Sequence, residues 1–154
     1  MQEVTLCLFV DHGKILLGMK KRRFGAGKCN GFGGKLENGE SAVENAVREL
    51  KEEINVSIKT DDVEKVGCLD FYFKDKPEWN QKMHIFMVKS WDGEVQESEE
   101  MKPQWFDIKD IPFETMWLDD KHWLPMVLAG KKVEGHFNLI DEGSQIDEFD
   151  IREV

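Results

Sequence analysis

The sequence predicts an α+β sandwich that is built on a mixed β-sheet with two main helices. Many short segments have the apolar pattern of strands, whereas only two segments have helical periodicity, and this balance is typical of that fold class. The 154 residues suffice for one well-filled core, so we expect a single domain over residues 1–154. Hydrophobic residues make up 40% of the chain, which indicates a globular and not a disordered protein.

The strand-like segments lie on both sides of the first helix. Residues 5–10 are apolar, residues 11–13 have turn chemistry, and residues 15–19 return as the partner of a hairpin. Later strands are predicted at residues 66–73, 83–90 and 104–108, and a final hairpin is predicted from residues 135–140 and 145–151.

The first helix is predicted over residues 41–54 and the second over residues 119–128. Ser41 and Glu44 have the spacing of a capping box, in which each side chain binds a backbone N–H at the helix start. Asn55 follows where a residue with left-handed backbone conformation commonly ends a helix. Apolar stripes support both helices, with Val43, Ala46, Val47, Leu50 and Ile54 in the first and Trp123, Leu124, Val127 and Leu128 in the second.

The charge balance argues against several function classes. The net charge is −10, so the chain lacks the basic footprint of a protein that binds a nucleic-acid polymer. We expect no membrane association and a cytoplasmic location, because the sequence has neither a long apolar run nor a basic segment at its start. The widely spaced Cys7, Cys29 and Cys68 argue against a disulfide framework and a cysteine zinc site. An acidic protein can still bind a polyphosphate if divalent cations lie between the two.

Three carboxylates are predicted to share one face of the first helix. Glu52 and Glu53 follow Glu49 at the spacing that places side chains together on a helix. Like charges at this spacing weaken a helix by roughly 0.2–0.5 kcal/mol per pair. We expect Arg48 to offset part of this repulsion by pairing with Glu52 and with Glu44.

A solvated acidic surface is the alternative interpretation of this face. Three features favour a metal site instead: the acids cluster, Glu37 and Glu40 add carboxylates just before the helix, and a glycine-rich segment at residues 31–34 precedes them. Oxygen ligands suit Mg²⁺, which binds one or two carboxylates and then takes phosphate and water.

The spacing of these residues resembles the Nudix box. Gly34, Glu40, the run Arg-Glu-Leu-Lys-Glu-Glu at residues 48–53, and Asn55 occur in the order and at the distances of that long and specific signature. The resemblance implies a Nudix α/β/α sandwich with a central mixed β-sheet and two main helices, and a hydrolase that uses Mg²⁺, with Mn²⁺ as a substitute. Asn55 departs from the family, which has glycine there, but asparagine also tolerates the left-handed conformation.

The chain is also similar to one branch of the family, the MutT-homologue, oxidised purine nucleoside triphosphatases (8-oxo-dGTPases). This similarity covers essentially the whole chain, with matches at residues 18–21, 24–27, 30–35, 100–101, 105–106, 111–113, 116–120, 123 and 152–154. It implies hydrolysis of nucleoside triphosphates such as 8-oxo-dGTP and 2-hydroxy-dATP to the monophosphate and pyrophosphate, which sanitises the nucleotide pool. We expect a monomer. Cys29 departs from the branch, which has tryptophan before the asparagine.

The resemblance also implies residue roles at the reacting phosphate. Glu53 is the first choice for the general base and Glu49 the second, with Arg48 in the catalytic set. The implied metal ligands are Gly34, Glu49, Glu52, Glu53 and Glu100, and Glu99 is the near alternative to Glu100.

The resemblance implies that further residues bind the nucleotide. A lysine can contact phosphate and an asparagine can match a base edge, which suits Lys20 and Asn30, while Asp119 and Asp120 are expected to recognise the base. Each has a structural alternative: core for Thr5 and the aromatic residues, an ordinary edge lysine, a turn asparagine, and a helix cap for the aspartates. The full predicted set is Thr5, Lys20, Asn30, Phe32, Gly33, Gly34, Lys35, Phe71, Phe73, Trp117, Asp119 and Asp120.

Two other functions stay open at this stage. A Nudix hydrolase of another substrate class would cleave ADP-ribose or a dinucleoside polyphosphate, and the purine-pocket residues argue against it. A catalytically silent nucleotide-binding regulator would not need the full set of Arg48, Glu49, Glu52 and Glu53, which this chain keeps.

Overall fold

The computed structural model describes residues 1–23 and 25–154. Phe24, which belongs to the matching segment 24–27, lies outside the described residues. The strands are β1 (Gln2–Asp11), β2 (Lys14–Lys20), β3 (Cys29–Asn30), β4 (Val63–Phe73), β5 (Gln81–Val88), β6 (Met101–Asp107), β7 (Val133–Ile140) and β8 (Gln145–Glu153), and the helices are α1 (Ala42–Ile54) and α2 (Asp120–Leu128).

These strands form one mixed sheet. Its order is β3-β2-β1-β5-β4-β7-β8, and β6 pairs with β2. The β1–β5 and β4–β7 pairs are parallel, while the β1–β2, β4–β5, β2–β6 and β7–β8 pairs are antiparallel. The predicted α+β fold with a mixed sheet is therefore confirmed.

The two helices cover opposite faces of the sheet. Along β1, Leu6 and Leu8 join a core that contains Trp123 of α2, whereas Cys7 and Phe9 join a core that contains Leu50 of α1. Because successive strand residues point to opposite faces, this alternation places β1 between the two cores. The arrangement is the expected α/β/α sandwich.

The start and end of α1 follow the predicted pattern. Ser41 and Glu44 form the capping box, and Asn55 ends the helix with φ 59° and ψ 33°. The predicted pairing of Arg48 with Glu44 is wrong, because the Glu44 carboxylate already accepts the Ser41 backbone N–H at 3.0 Å. Glu53 is buried on α1, which the expected shared carboxylate face did not anticipate.

Several strand bounds differ from the predicted ones. Most strands extend beyond the apolar segments, because ladder pairing continues into polar residues at the sheet edges. Strand β3 was not among the predicted strands, and in it Asn30 pairs with Gly18 and Cys29 with Met19. Among the residues that the structure describes, no helix is long and apolar enough to cross a membrane.

Candidate active site

A cavity of about 590 Å³ extends from the carboxylates of α1 to the start of α2. It collects side chains and backbone from β1, β2, β4, α1 and the glycine-rich segment. Sixteen of the seventeen predicted site residues line it: Thr5, Lys20, Asn30, Gly33, Gly34, Lys35, Arg48, Glu49, Glu52, Glu53, Phe71, Phe73, Glu100, Trp117, Asp119 and Asp120.

Phe32 is the exception. Its side chain is fully buried in the α1-side core and packs edge-on against Phe9, with ring centroids 6.0 Å apart. The Phe32 backbone N–H donates to the Cys7 carbonyl at 3.1 Å, which fixes the segment as extended backbone beside β1. Alternation along this extended backbone turns the phenyl ring away from the cavity, so its predicted contact with substrate is corrected to a packing role.

Glu53 forms the most enclosed part of the carboxylate end. Its Oε1 accepts the Gly33 backbone N–H at 3.3 Å, while Oε2 is buried and has no hydrogen-bond partner. Burial, together with the neighbouring Glu49 carboxylate, raises the pKa of Glu53 to about 9. A buried, unpartnered carboxylate oxygen is costly unless a proton or a cation is supplied.

Gly34 leaves the space into which Glu49 fits. A Cβ at Gly34 would lie 2.5 Å from Glu49 Oε1, so no side chain can be accommodated there while Glu49 stays in place. Burial also raises the pKa of Glu49. Glu52, by contrast, is 59% exposed in its side chain, so the three helix carboxylates differ widely in hydration.

Arg48 links the helix carboxylates to the preceding loop. Its guanidinium lies 2.8 Å from Glu40, 3.1 Å from Glu52 and 3.2 Å from Glu49. The hydrogen bonds from Arg48 and Asn45 hold the pKa of Glu40 at about 2. Glu40 is therefore committed to Arg48 and is not a free carboxylate of the cluster.

Asn45 is a site residue that the sequence analysis missed. It is fully buried, and its amide donates to the Lys35 carbonyl at 2.8 Å and to Glu40 at 2.9 Å, while its Oδ1 accepts from the Thr5 hydroxyl. These bonds tie β1, the glycine-rich segment and α1 together. The sequence signal that could have revealed Asn45 is its position one helical turn before Glu49, which places both polar side chains on the same face of α1.

Glu100 is held by arginine in this structure. Its Oε1 accepts from Arg22 Nε at 3.0 Å and Arg22 Nη2 at 2.7 Å, and Arg23 lies 3.7 Å away. The alternative residue Glu99 is highly exposed and lies 3.5 Å from Arg22. Within residues 1–23 and 25–154, no three acidic, histidine or cysteine side chains converge as a ready metal site.

Asp119 and Asp120 form the other end of the cavity. Trp123 Nε1 donates to Asp119 Oδ2 at 2.8 Å, and the Trp117 backbone N–H donates to Asp120 Oδ2 at 3.2 Å. Burial raises the pKa of both aspartates, and the negative charge of Asp119 raises that of Asp120 further. Asp119 has no capping hydrogen bond from its side chain, so the helix-cap alternative does not describe its contacts.

Aromatic and apolar side chains form the walls between the two ends. Phe71 is buried, Phe73 packs edge-on against Trp79, and the Lys28 ammonium lies 5.0 Å from the Trp117 ring centre. Asn30 lines the cavity while its Oδ1 accepts the Gly31 N–H at 2.9 Å. Lining residues that were not predicted include Leu6, Arg23, Lys28, Met83, Met101 and Leu118, and of these six only Met101 and Leu118 belong to segments that match the branch.

Comparison with known proteins identifies the family. The sequence model of the NUDIX domain matches residues 1–127. The chain belongs to the Nudix family. A Mus musculus protein named "Oxidized purine nucleoside triphosphate hydrolase" is 46% identical over 150 residues, which cover 97% of this chain and 94% of that protein. A Danio rerio protein of the same name is 48% identical over 136 residues, which cover 88% and 85%.

A solved structure supports the same assignment. The MutT protein from Bacillus halodurans superposes with a TM-score of 0.84 at 28% identity, covering 98% of this chain and 97% of that one. The predicted resemblance to Nudix hydrolases is thus confirmed over most of the chain. The protein is a Nudix hydrolase.

Nudix hydrolases use divalent metal ions, and the carboxylate end of this cavity fits such a cation. The donors there are oxygen atoms, as hard divalent cations require. Glu53 Oε2 is buried without a partner, and the absence of a side chain at Gly34 lets the Glu49 carboxylate lie against the Gly34 backbone.

Proposed function

We propose that this Nudix hydrolase converts oxidised purine (deoxy)nucleoside triphosphates, such as 8-oxo-dGTP and 2-hydroxy-dATP, to the monophosphate and pyrophosphate with Mg²⁺. The observation that carries the proposal is that one cavity joins the carboxylates of α1 to the buried pair Asp119 and Asp120. The carboxylate end can hold the cations that a triphosphate requires, and the aspartate end can form hydrogen bonds with the altered edge of an oxidised base. The names of the mouse and zebrafish relatives support the same substrate class.

At the phosphate end, the protein contributes both carboxylates, which would hold the metal ion, and lysine ammonium groups. Glu49, Glu52, Glu53, Glu100 and the Gly34 carbonyl would hold Mg²⁺, which when bound neutralises phosphate oxygens and polarises the reacting phosphoryl group. For Glu100 to contribute, it must exchange its hydrogen bonds with Arg22 for the cation. Lys20 and Lys35, which line the cavity, supply ammonium groups for the triphosphate.

For the chemical step, Glu53 is the first choice of general base and Glu49 the second. The base removes a proton from the water that attacks the β-phosphorus, and the bond from the β-phosphorus to the oxygen bridging to the α-phosphorus breaks. The nucleoside monophosphate leaves, and the water oxygen stays with the pyrophosphate. Glu53 Oε2 has no hydrogen-bond partner and would accept this proton once a bound cation has displaced the proton that burial favours there. Arg48 holds Glu49 and Glu52 in place.

At the base end, the cavity offers a donor and an acceptor together. Burial and the charge of Asp119 raise the pKa of Asp120 and so favour its protonated form, which donates a hydrogen bond while Asp119 accepts one. Phe71, Phe73 and Trp117 provide apolar faces on which a purine can stack.

We further propose that the enzyme is a cytoplasmic monomer with one domain over residues 1–154. The β7–β8 hairpin pairs with β4 in the same sheet, so the residues after the matched segment 1–127 pack into the same fold. Residues from one chain line both ends of the cavity, and the three cysteines are free thiols.

A substrate panel tests the proposed function. Purified protein with Mg²⁺ is given 8-oxo-dGTP, 2-hydroxy-dATP, the four normal deoxynucleoside triphosphates, ADP-ribose and a dinucleoside polyphosphate, and the products are identified. We expect pyrophosphate and monophosphate from the oxidised purines at the highest kcat/KM. Faster cleavage of ADP-ribose or of the dinucleoside polyphosphate would reassign the substrate class, and tight binding without turnover would indicate a silent regulator.

A further inference from the structure

A column of three phenylalanine rings crosses three neighbouring strands on the α2 face of the sheet. Phe71 of β4 stacks on Phe137 of β7, with ring centroids 5.5 Å apart and planes at 8°. Phe137 in turn stacks on Phe149 of β8 at 5.2 Å and 11°. The strand register pairs Phe71 with Phe137 and Phe137 with Phe149, so the sheet itself sets this alignment.

The column connects the cavity with the protein surface. Phe71 lines the cavity and is buried, Phe137 is fully buried, and Phe149 on the last strand is 43% exposed. A large aromatic residue this exposed adds less hydrophobic stabilisation than a buried one. Because Phe149 stacks parallel to Phe137, its main contribution is to align the Phe137 ring.

His122 closes the outer end of the column. Its imidazole ring lies 4.4 Å from the Phe149 centroid and 6.3 Å from that of Phe137. His122 belongs to the first turn of α2, two residues after Asp120. The column thus contacts the cavity wall at one end and the helix that starts with the aspartate pair at the other.

We propose that Phe149 and His122 are positioning residues for base recognition. Through Phe137 they fix the ring of Phe71, and through the first turn of α2 they fix Asp119 and Asp120. This inference rests on the proposed function, since it concerns how that same cavity distinguishes an oxidised purine from a normal one.

The physical reason is that base discrimination depends on small distances. A displacement of about 1 Å in a positioned group can reduce a rate by roughly 10²-fold. Helix α2 has only nine residues, and His122 in its first turn contacts the Phe149 ring. Helix α1, which carries the glutamates, packs on the other face of the sheet from the phenylalanine column, so loss of the Phe149 ring should disturb base recognition more than phosphate chemistry.

The test compares the selectivity ratio, kcat/KM for 8-oxo-dGTP divided by kcat/KM for dGTP, between wild type and Phe149→Ala. We expect this ratio to fall by about tenfold, mainly through a higher KM for 8-oxo-dGTP. Phe149→Tyr keeps the ring and should restore the ratio. Tyr72→Ala is the matched control, because Tyr72 is 39% exposed and its side chain lies on the opposite face from that of its neighbour Phe71.

A double-mutant cycle with His122→Ala tests the second residue. Effects of His122→Ala and Phe149→Ala on the ratio should be less than additive, whereas those of Tyr72→Ala and Phe149→Ala should add. If Phe149→Ala melts too low to assay, Phe149→Leu keeps apolar volume without a flat ring and takes its place.

Each outcome decides one question. An unchanged ratio in Phe149→Ala, or an equal loss of kcat/KM on both substrates, overturns the positioning role. A wild-type enzyme with no preference for 8-oxo-dGTP overturns the proposed function itself, and with it this inference. Because wild type is measured first, the two failures are distinguishable.

Discussion

Glu53 and Gly33 face each other between α1 and the glycine-rich segment, where the Gly33 N–H donates to Glu53 Oε1 at 3.3 Å. This single bond satisfies one oxygen of a carboxylate whose other oxygen is buried and unpartnered. The contact explains why the segment needs close backbone approach. Burial, and not this bond, raises the pKa of Glu53, because a hydrogen bond from a backbone N–H favours the charged carboxylate.

The first prediction concerns Glu53→Gln and activity. The change keeps volume and polarity but removes the basic oxygen and one negative charge, so kcat should fall by roughly 10²-fold or more. Steady-state pyrophosphate release with Mg²⁺ measures this. Glu44→Gln is the control on the same helix, because glutamine also completes a capping box. A Glu53→Gln enzyme within about threefold of wild type would exclude Glu53 as base and as ligand.

The second prediction concerns the stability of the metal-free protein. The pKa of Glu53 is raised from 4.5 to about 9, so the folded protein keeps a proton that the unfolded chain releases. Stability should therefore be lost as the pH rises from about 5 towards 9. Glu53→Gln removes this loss and should be more stable than wild type by over about 1 kcal/mol at pH 7.5.

Urea unfolding in EDTA at several pH values checks the stability prediction. The advantage of Glu53→Gln should grow with pH across this range and be smallest near pH 5. A variant that is less stable than wild type at every pH would show that the native packing depends on the Glu53 carboxyl itself.

The third prediction is strict metal dependence. Closely packed carboxylates that face a polyphosphate require cations between the two. EDTA should abolish turnover and Mg²⁺ should restore it, with Mn²⁺ as a substitute. Mg²⁺ and nucleotide together should also raise the thermal midpoint of the metal-free protein more than either alone. Turnover that persists in EDTA would contradict the proposed role of the carboxylates.

The fourth prediction concerns the end of α1. Asn55 has φ 59°, a conformation that costs most L-residues roughly 1–2 kcal/mol and glycine nothing. Its amide also donates to Gln96 at 3.2 Å. Asn55→Ala should lower the free energy of unfolding by about 1 kcal/mol, while Asn55→Gly should be nearly neutral. Equal losses for both variants would indicate that the bond to Gln96, and not the backbone conformation, is decisive.

Local pattern accounts for much of what could be predicted from the sequence. The capping box and apolar stripe defined α1, and turn chemistry defined the hairpins, because these signals lie within a few residues of each other. The burial of Glu53 could not be predicted, since the helical spacing places it beside the stripe but does not reveal that Gly33 packs over it.

Long-range partners account for contacts that the sequence did not predict. The bond between Arg22 and Glu100 joins residues 78 positions apart, and no sequence spacing encodes it. The orientation of Phe32 depends on an isolated bridge to Cys7, outside any regular strand pattern. The resemblance predicted the site residues, but only the fold shows that Phe32, unlike the other sixteen, does not line the cavity.

The last prediction concerns Asp119 and Asp120 as the determinants of base choice. Asp119 accepts the Trp123 indole N–H, and burial raises the pKa of Asp120 and favours its protonated form, in which the pair presents one acceptor and one donor. Guanine oxidised at C8 gains a donor at N7, whereas normal guanine would turn a lone pair towards a carboxylate. Sites built on such hydrogen bonds discriminate strongly, because the wrong ligand leaves buried groups unpaired.

We therefore expect Asp119→Ala and Asp120→Ala to lose most kcat/KM for 8-oxo-dGTP while Mg²⁺ still binds, as measured by calorimetry with the metal alone. Activity of wild type on 8-oxo-dGTP should fall as the pH rises through the elevated pKa of Asp120, because the donor proton is lost. Asp120→Asn keeps a donor at every pH, so this fall should disappear from its pH profile. If both alanine variants retain the wild-type kcat/KM for oxidised purines, the aspartates only support the start of α2, and the oxidised-purine assignment loses its main physical basis.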